Sequence, residues 1–180
     1  MGFIMNIIII GFKGCGKTLI GKILAKRLKM KFHDIDLIIE SIYLQETGEN
    51  LRFREIYEKH GNEYFRNLEK KALEKMQNLK NCVISLGGGT IFTDENIYKK
   101  LVDDITIYLH VESDMLYERI LKNGVPAFFD SSNPRVYFDG LYGERIPGYR
   151  KLADIIVNNS KSAEDTLGNI MKELDKRNVR

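Results

Sequence analysis

The segment that most constrains this chain lies near its start, where residues 11–18 read GFKGCGKT and fit the pattern GxxxxGK[ST]. A continuous apolar run, Ile4 to Ile10, precedes it, and apolar residues at helical spacing follow it from about Gly16 to Lys29. A buried strand, a glycine-rich loop and a helix in this order direct backbone N–H groups toward phosphate oxygens. The pattern therefore predicts that the chain binds a nucleoside triphosphate.

Individual residues of this loop are expected to hold different parts of the nucleotide. Lys17 carries a full positive charge to the β- and γ-phosphates, and the Thr18 hydroxyl is placed to ligate Mg²⁺. Cys15 is interpreted as a small loop residue, with a side hypothesis that Lys17 and the helix N-terminus lower the pKa of its thiol and expose it to modification. The predicted nucleotide contacts are Gly11, Gly14, Cys15, Gly16, Lys17, Thr18 and Leu19.

Strand-like and helix-like segments alternate along the rest of the chain, which is typical of an open α/β sheet. Further strands are predicted at residues 31–34, 82–86, 104–110 and 155–158, and helices at 51–59, 62–79, 113–122, 135–152 and 163–176. Gly61 separates two of these helices, and Pro147 is expected to kink or break another. Because no linker or repeat interrupts the alternation, we predict one domain over residues 1–180.

Bulk composition argues against several other classes of protein. The chain has 28 basic and 25 acidic residues, and a net charge of +3 does not suggest a dedicated nucleic-acid binder. Two distant cysteines and three scattered histidines do not suggest a disulfide framework or a His/Cys metal site. The apolar start lacks a basic leader, and no apolar run approaches the roughly 20 residues that span a bilayer. We therefore expect a cytoplasmic monomer with no nucleic-acid or membrane partner.

Two carboxylates, Asp34 and Asp36, stand at the end of the second predicted strand. Since they leave the strand end in different directions, one can hold Mg²⁺ through water while the other accepts hydrogen bonds from an alcohol. The alternative is that an Asp only caps the following helix.

Two more patterns point to a ligand but have ordinary explanations when taken singly. Arg66 and Glu69 stand three residues apart on a predicted helix, so they can form an ion pair, and a surface salt bridge is the alternative. Gly87, Gly88 and Gly89 directly follow a buried strand, where close approach of the backbone to a ligand explains their cost in chain entropy. A tight turn is the alternative there.

Other nucleotide-binding classes fit less well. A GTPase needs a guanine-specifying NKxD-like segment, which the sequence lacks. An ATPase motor usually has an acidic residue at the end of the strand that corresponds to Val83–Leu86, and that strand has none.

Taken together and in order, these motifs resemble the shikimate kinase family. The resemblance combines GxxGxGKT, DxD, FRxxE and GGG with Arg145-Ile146-Pro147-Gly148-Tyr149 and the following Ala153-Asp154. It runs from about residue 6 to 160. The implied fold is a three-layer P-loop kinase fold with a five-stranded parallel sheet. The implied core covers residues 4–34, 80–122 and 153–180, with substrate-binding helices at 35–79 and a mobile lid at 123–135.

The resemblance also implies a reaction and a role for each motif residue. The reaction is ATP-dependent, Mg²⁺-assisted phosphorylation of shikimate. Asp36 would act as base toward the attacking hydroxyl, and Asp34 would lie in the outer coordination sphere of Mg²⁺. Arg66 and Arg145 would clamp the shikimate carboxylate, because a planar guanidinium suits a planar anion. Glu69 would orient Arg66, residues 87–89 would approach the substrate, and Arg119 would stack on the adenine.

The sequence departs from the family in the lid. Family members usually carry an Arg immediately before a lid Pro, and this chain has Val125 before Pro126. Loss of such a guanidinium can cost about 10³-fold or more in rate. We expect Lys122 to compensate, with Arg135 as a poorer candidate. Two rival functions remain open at this point: a P-loop kinase of another small hydroxylated acid such as a sugar acid, and a non-catalytic ATP-binding module.

Overall fold

The computed structural model describes residues 5–92, 96, 101–122 and 133–178. The strands in these ranges are β1 Ile7–Ile10, β2 Lys31–Asp34, β3 Cys82–Ser85, β4 Ile105–His110 and β5 Ile155–Asn158. The helices are α1 Lys17–Leu28, α2 Ile35–Thr47, α3 Phe53–Met76, α4 Ser113–Lys122, α5 Pro134–Leu152 and α6 Ala163–Lys176. A 3₁₀ turn, Thr90–Phe92, follows β3.

The strands form one parallel sheet in the order β2-β3-β1-β4-β5. Each residue of β1 is at most 1% exposed, as expected for an apolar strand that is covered on both faces. β5 lies at one edge of the sheet and alternates between buried and exposed residues. The predicted five-stranded parallel α/β fold is confirmed.

The carboxyl ends of the parallel strands meet at one edge of the sheet. Asp34 ends β2 opposite Ser85, the last residue of β3. Ser85 pairs in turn with Ile9 of β1, and the N–H of Leu86 donates to the Ile9 carbonyl at 3.0 Å. The loops after β1 and β3 and the carboxylates after β2 therefore lie together, at the place where open α/β sheets bind ligands.

The helices α2 and α3 connect β2 to β3 and cover this edge from one side. α3 begins at Phe53, two residues later than predicted, because the Glu55 carboxylate accepts the Arg52 N–H at 2.7 Å and caps the first turn. Gly61, with φ 79° and ψ −177°, interrupts α3. The predicted break at Gly61 is confirmed.

The helix α5 begins at Pro134 because the side chain of Asn133 accepts the Val136 N–H at 3.3 Å and caps it. Residues 134–135 of the predicted lid are therefore helical, and α5 continues through Pro147 instead of breaking there. The rest of the predicted lid, residues 123–132 with Val125, lies outside the described residues.

None of the helices in the described ranges is both long enough and apolar enough to cross a bilayer.

Candidate active site

The loop between β1 and α1 curls back on its own backbone. Lys17 Nζ donates to the carbonyls of Gly11 at 2.9 Å and of Phe12 at 3.0 Å, six and five residues earlier in the chain. Three glycines of the loop have positive φ: 145° at Gly11, 82° at Gly14 and 96° at Gly16. The ammonium group is thus held at the loop's centre, where a phosphate-binding lysine is needed.

Cys15 is buried, which opposes the reactivity that its sequence position suggested. Its thiol is fully buried, and Sγ lies 3.9 Å from Lys17 Nζ. Burial raises the pKa of Cys15 above its ordinary value, although the charge of Lys17 opposes this shift. The hypothesis of a modifiable thiolate is therefore wrong, because desolvation outweighs the nearby positive charge.

Asp34 uses its two carboxylate oxygens for different partners. Oδ1 accepts the Asp36 N–H at 3.1 Å, so Asp34 is the N-cap of α2. Oδ2 accepts the Thr18 hydroxyl at 2.8 Å. The capping interpretation is correct, yet the same side chain also joins the phosphate loop. A hydroxyl and a carboxylate side by side are oxygen ligands of the kind that Mg²⁺ prefers.

Asp36 lies in the first turn of α2 and is half-buried. Burial, and secondly the charge of Asp34, raises its pKa to about 7, while Lys17 opposes the shift. A Cβ added at Gly87 would lie 3.4 Å from Asp36 Oδ1, so the loop after β3 closes over this carboxylate. A carboxyl group with a pKa near neutrality is suited to accept a proton from an alcohol.

Arg66 is held by a buried carboxylate. It forms an ion pair with Glu69, whose side chain is 3% exposed. Glu69 Oε1 also accepts the Thr90 hydroxyl at 2.8 Å. The surface salt bridge that was the alternative interpretation is therefore wrong. A buried carboxylate with two donors fixes the direction of the guanidinium group.

Arg145, in α5, lies beside the glycine loop that follows β3. Its Nη1 donates to the Gly88 carbonyl at 3.3 Å, and its guanidinium carbon lies 5.6 Å from the ring centre of Phe12. A Cβ at Gly89 would lie 3.1 Å from Arg66 Nη1 and 3.5 Å from Arg145 Nη2. Both guanidinium groups thus converge on Gly89, and a side chain there would contact both of them tightly. Two planar cations so placed can bind a carboxylate.

Pattern reasoning gave no role to Lys13. Burial, and then the charge of Arg54, lowers its pKa to about 8, while Asp36 opposes the shift. A Cβ at Gly88 would lie 3.0 Å from the Lys13 backbone nitrogen, so Lys13 adjoins the triple-glycine loop. Since Lys13 occupies a variable position of the phosphate-loop motif, no sequence signal distinguished it.

Tyr149 entered the sequence analysis only as part of a motif. Its ring is fully buried and its hydroxyl donates to the Gly88 carbonyl, the same carbonyl that accepts from Arg145. The ring also stacks on Tyr108 with centroids 5.2 Å apart. Tyr149 therefore holds the central glycine of the triple-glycine loop, a contact between distant segments that the sequence does not reveal.

The helix α4 carries the remaining predicted cations. It packs beside the phosphate loop, since a Cβ at Gly14 would lie 3.0 Å from Ile120 Cγ1. Arg119 is the neighbouring residue, and its Nη2 lies 3.5 Å from Met115 Sδ. Arg135 pairs with two carboxylates of α4 and α5 at 2.7 and 2.8 Å. Its role as the poorer substitute for a lid arginine stays a prediction.

Comparison with known proteins places this geometry in a family. A sequence model described as shikimate kinase matches residues 13–175. The chain belongs to the shikimate kinase family. A shikimate kinase from Thermodesulfovibrio yellowstonii is 31% identical over 171 residues, which cover 95% of each chain. The structure of shikimate kinase from Acinetobacter baumannii in complex with shikimate is similar with a TM-score of 0.84 at 27% identity, covering 98% of this chain and 96% of that one.

A kinase of another family shares the fold. A gluconokinase from Sinorhizobium meliloti is similar with a TM-score of 0.57 at 14% identity, covering 98% of this chain and 95% of that one. This likeness concerns the fold alone. It therefore does not favour the sugar-acid alternative over the shikimate kinase family.

Proposed function

We propose that this member of the shikimate kinase family transfers the γ-phosphoryl group of ATP to the 3-hydroxyl of shikimate. The products are shikimate 3-phosphate and ADP, and the reaction serves aromatic amino-acid biosynthesis. The observation that carries the proposal is the convergence of Arg66 and Arg145 on Gly89. A kinase for an alcohol without a carboxylate has no use for two converging guanidinium groups beside its catalytic base.

In this mechanism Asp36 acts as the general base. It accepts the proton of the attacking hydroxyl while the hydroxyl oxygen bonds to the γ-phosphorus. The bond from that phosphorus to the bridging oxygen breaks, and ADP leaves with the electron pair. The half-buried position of Asp36 and its pKa near 7 support this role.

The substrate carboxylate is held by the two arginines. Glu69 keeps Arg66 directed at Gly89, and the Gly88 carbonyl does the same for Arg145. Because the arginines fix the carboxylate end, the hydroxyl end of the substrate is positioned near Asp36 and the phosphate loop. Residues 87–89 supply backbone that a ring can approach closely.

Mg²⁺ fits the oxygens at the start of α1. Thr18 Oγ1 and Asp34 Oδ2 lie 2.8 Å apart, and the described residues contain no group of three or more His, Cys, Asp or Glu side chains that could hold a metal ion. Mg²⁺ usually takes one or two protein oxygens and completes its shell with phosphates and waters. We assign Thr18 as the direct ligand and Asp34 to a water-mediated contact. The ion would neutralise charge on the phosphates.

The nucleotide is assigned to the loop before α1 and to α4. Backbone N–H groups of residues 14–19 bind the phosphates, together with Gly11 and the Lys17 ammonium. Arg119 stacks on the adenine, an assignment supported by the packing of α4 against Gly14. We further propose that the protein is a monomer in the cytoplasm. Its free, buried cysteines suit a reducing compartment, and light scattering tests the oligomeric state.

Lys122, the last residue of α4, is proposed to supply the cation that Val125 does not. We expect Lys122→Ala to lower kcat about 10- to 1000-fold with little change in the KM for shikimate. Lys161→Ala, which removes an exposed lysine elsewhere, is the matched control. Unchanged turnover in Lys122→Ala would remove Lys122 from the mechanism.

The test of the whole proposal is ADP release by the purified protein with ATP and Mg²⁺. Shikimate, gluconate and nucleoside monophosphates are compared as acceptors. Strong stimulation by shikimate alone supports the proposal. Stimulation by another acceptor would identify that acceptor as the substrate in place of shikimate. ATP binding without transfer to any acceptor would identify a non-catalytic module. Omission of Mg²⁺, with EDTA present, is expected to abolish the shikimate-dependent rate.

A further inference from the structure

Asn159, directly after β5, is a buried polar residue that the mechanism above does not use. The residue is 6% exposed, and its side chain is not directed to solvent. Nδ2 donates to the Cys15 carbonyl of the phosphate loop at 2.7 Å, a contact between residues 144 positions apart. On its other side, Oδ1 accepts the Thr166 hydroxyl of α6 at 2.6 Å.

The Cys15 carbonyl can only accept a hydrogen bond, so it requires the donor end of the Asn159 amide, Nδ2, to face the phosphate loop. Thr166 is fully buried, and its hydroxyl lies 2.6 Å from Oδ1 and 3.1 Å from the Ser162 carbonyl, so it supports the amide from the side of α6. The Asn159 backbone N–H donates to the His110 carbonyl at 2.8 Å, which ties the residue to the end of β4. The amide is therefore held from the sheet and from α6, and it contacts the loop from behind.

This contact determines the direction of a phosphate-binding N–H group. The Cys15 carbonyl and the Gly16 N–H belong to the same planar trans peptide, so they point in opposite directions. When Asn159 holds the carbonyl, the Gly16 N–H is directed away from Asn159 Nδ2. The loop is held tightly there: a Cβ at Gly16, whose φ is 96°, would lie only 2.7 Å from Asn159 Nδ2.

We propose that Asn159 is a positioning residue for nucleotide binding, which orients the Cys15–Gly16 peptide so that the Gly16 N–H binds a phosphate oxygen. Thr166 supports Asn159 by a hydrogen bond to the amide oxygen. The inference rests on the proposed use of ATP but not on the identity of the acceptor. Asn159 itself does not touch the nucleotide in this proposal.

The experiment measures equilibrium binding of ADP and, separately, of shikimate by calorimetry. We expect Asn159→Ala to weaken ADP binding about 10-fold, because the Cys15 carbonyl loses its buried donor. Asn159→Asp should weaken it more, since a carboxylate faces that carbonyl. Shikimate affinity should stay within about twofold in both variants. The Gly16 amide resonance should shift in the ligand-free variants.

Asn6 offers a matched control at the opposite end of the sheet. It is 3% exposed, and its side chain bonds the Leu79 carbonyl at 3.0 Å and the Cys82 N–H at 3.2 Å. Asn6→Ala therefore removes an equally buried amide without contact to the phosphate loop. Equal weakening of ADP binding in Asn6→Ala and Asn159→Ala would mean general destabilisation and overturn the proposal.

The pair Thr166→Val and Thr166→Ser decides the matter if Asn159 variants do not fold. Valine removes the hydroxyl and should weaken ADP binding severalfold, whereas serine keeps it and should restore affinity. Equal ADP affinity in wild type and Thr166→Val would contradict the inference, and so would equal affinity in wild type and a folded Asn159→Ala. A wild-type protein that binds no ADP would instead contradict the proposed function, so the two failures are distinguishable.

Discussion

The chemistry of the site depends most on single residues whose pKa values are shifted by burial and by neighbouring charges. Asp36 is the clearest case, because burial and Asp34 raise its pKa from 3.8 to about 7. Lys13, across the site, has its pKa lowered to about 8 by burial and Arg54. Two groups with pKa values near neutrality thus influence each other at the phosphate loop, since the charge of Asp36 opposes the lowering of the Lys13 pKa.

We expect the rate to follow the ionisation of Asp36. The value of kcat/KM for shikimate should fall about tenfold per pH unit below pH 7, because the protonated carboxyl cannot accept a proton. Asp36→Asn should lower kcat about 10²- to 10⁴-fold at pH 8. Steady-state kinetics from pH 5 to 9 measure both effects, with Asp103→Asn, an exposed carboxylate, as control.

The raised pKa of Asp36 should also lower the free energy of unfolding of the wild-type protein above pH 7. A carboxyl whose pKa is higher in the folded state contributes stability below pH 3.8 that is lost as pH rises through about 7. Above pH 7 we therefore expect Asp36→Asn to unfold in urea with a free energy higher than wild type by about 1 to 3 kcal/mol. A variant less stable than wild type at pH 8 would contradict the raised pKa.

The position of Arg66 depends on a charge that does not touch the substrate. Glu69→Gln should raise the KM for shikimate about 10-fold, because the neutral amide holds the guanidinium less firmly. The KM for ATP should not change. Glu74→Gln, an exposed residue on the same helix, is the control. A rise in both KM values would show that Glu69 supports the fold rather than Arg66.

Among the helices, α3 has a break that shapes the region proposed to bind the substrate. Gly61 has φ 79° and ψ −177°, a conformation that is strained for any side chain, although a Cβ there would meet nothing within 4 Å. The two halves of α3, before and after Gly61, can therefore run in different directions over α2. The sequence predicted this break from the position of one glycine.

Gly61→Ala should lower the free energy of unfolding by about 1 to 3 kcal/mol through backbone strain alone. Gly143→Ala, in α5, also places a Cβ in open space but at a helical φ. That control should be neutral or stabilise by up to about 1 kcal/mol. Urea unfolding of both variants tests the contrast, and equal effects would contradict a strained break at Gly61.

At the scale of the whole molecule, one continuous core supports a site built at a single edge of the sheet. Leu174 of α6 is fully buried in that core, whereas Ile156 of β5 is 46% exposed. Leu174→Ala should cost about 2 to 5 kcal/mol of unfolding free energy, and Ile156→Ala less than about 1 kcal/mol. Thermal or urea unfolding measures both, and the KM values should not change, because neither residue adjoins the site.

Features that arise from near neighbours in the chain could be predicted from the sequence. The bounds of β2, β5, α4 and α6 agree with the predictions residue for residue, because periodicity and caps are local. The helix starts at Phe53 and Pro134 differ from the predicted starts by two residues and one residue, because capping side chains determine where each helix begins. The phosphate loop was predicted for the same reason: glycine spacing, strand and helix are contiguous.

The effects of distant segments on one another could be seen only in the folded protein. Burial raises the pKa of Cys15, although its sequence neighbours suggested the reverse. Glu69 is buried and pairs with Arg66, and the guanidinium groups of Arg66 and Arg145 both lie beside Gly89. Asn159, 144 positions after Cys15 in the chain, donates a hydrogen bond to the Cys15 carbonyl of the phosphate loop. Desolvation and convergence depend on which surfaces pack together, and that information is not contained in the spacing of residues along the chain.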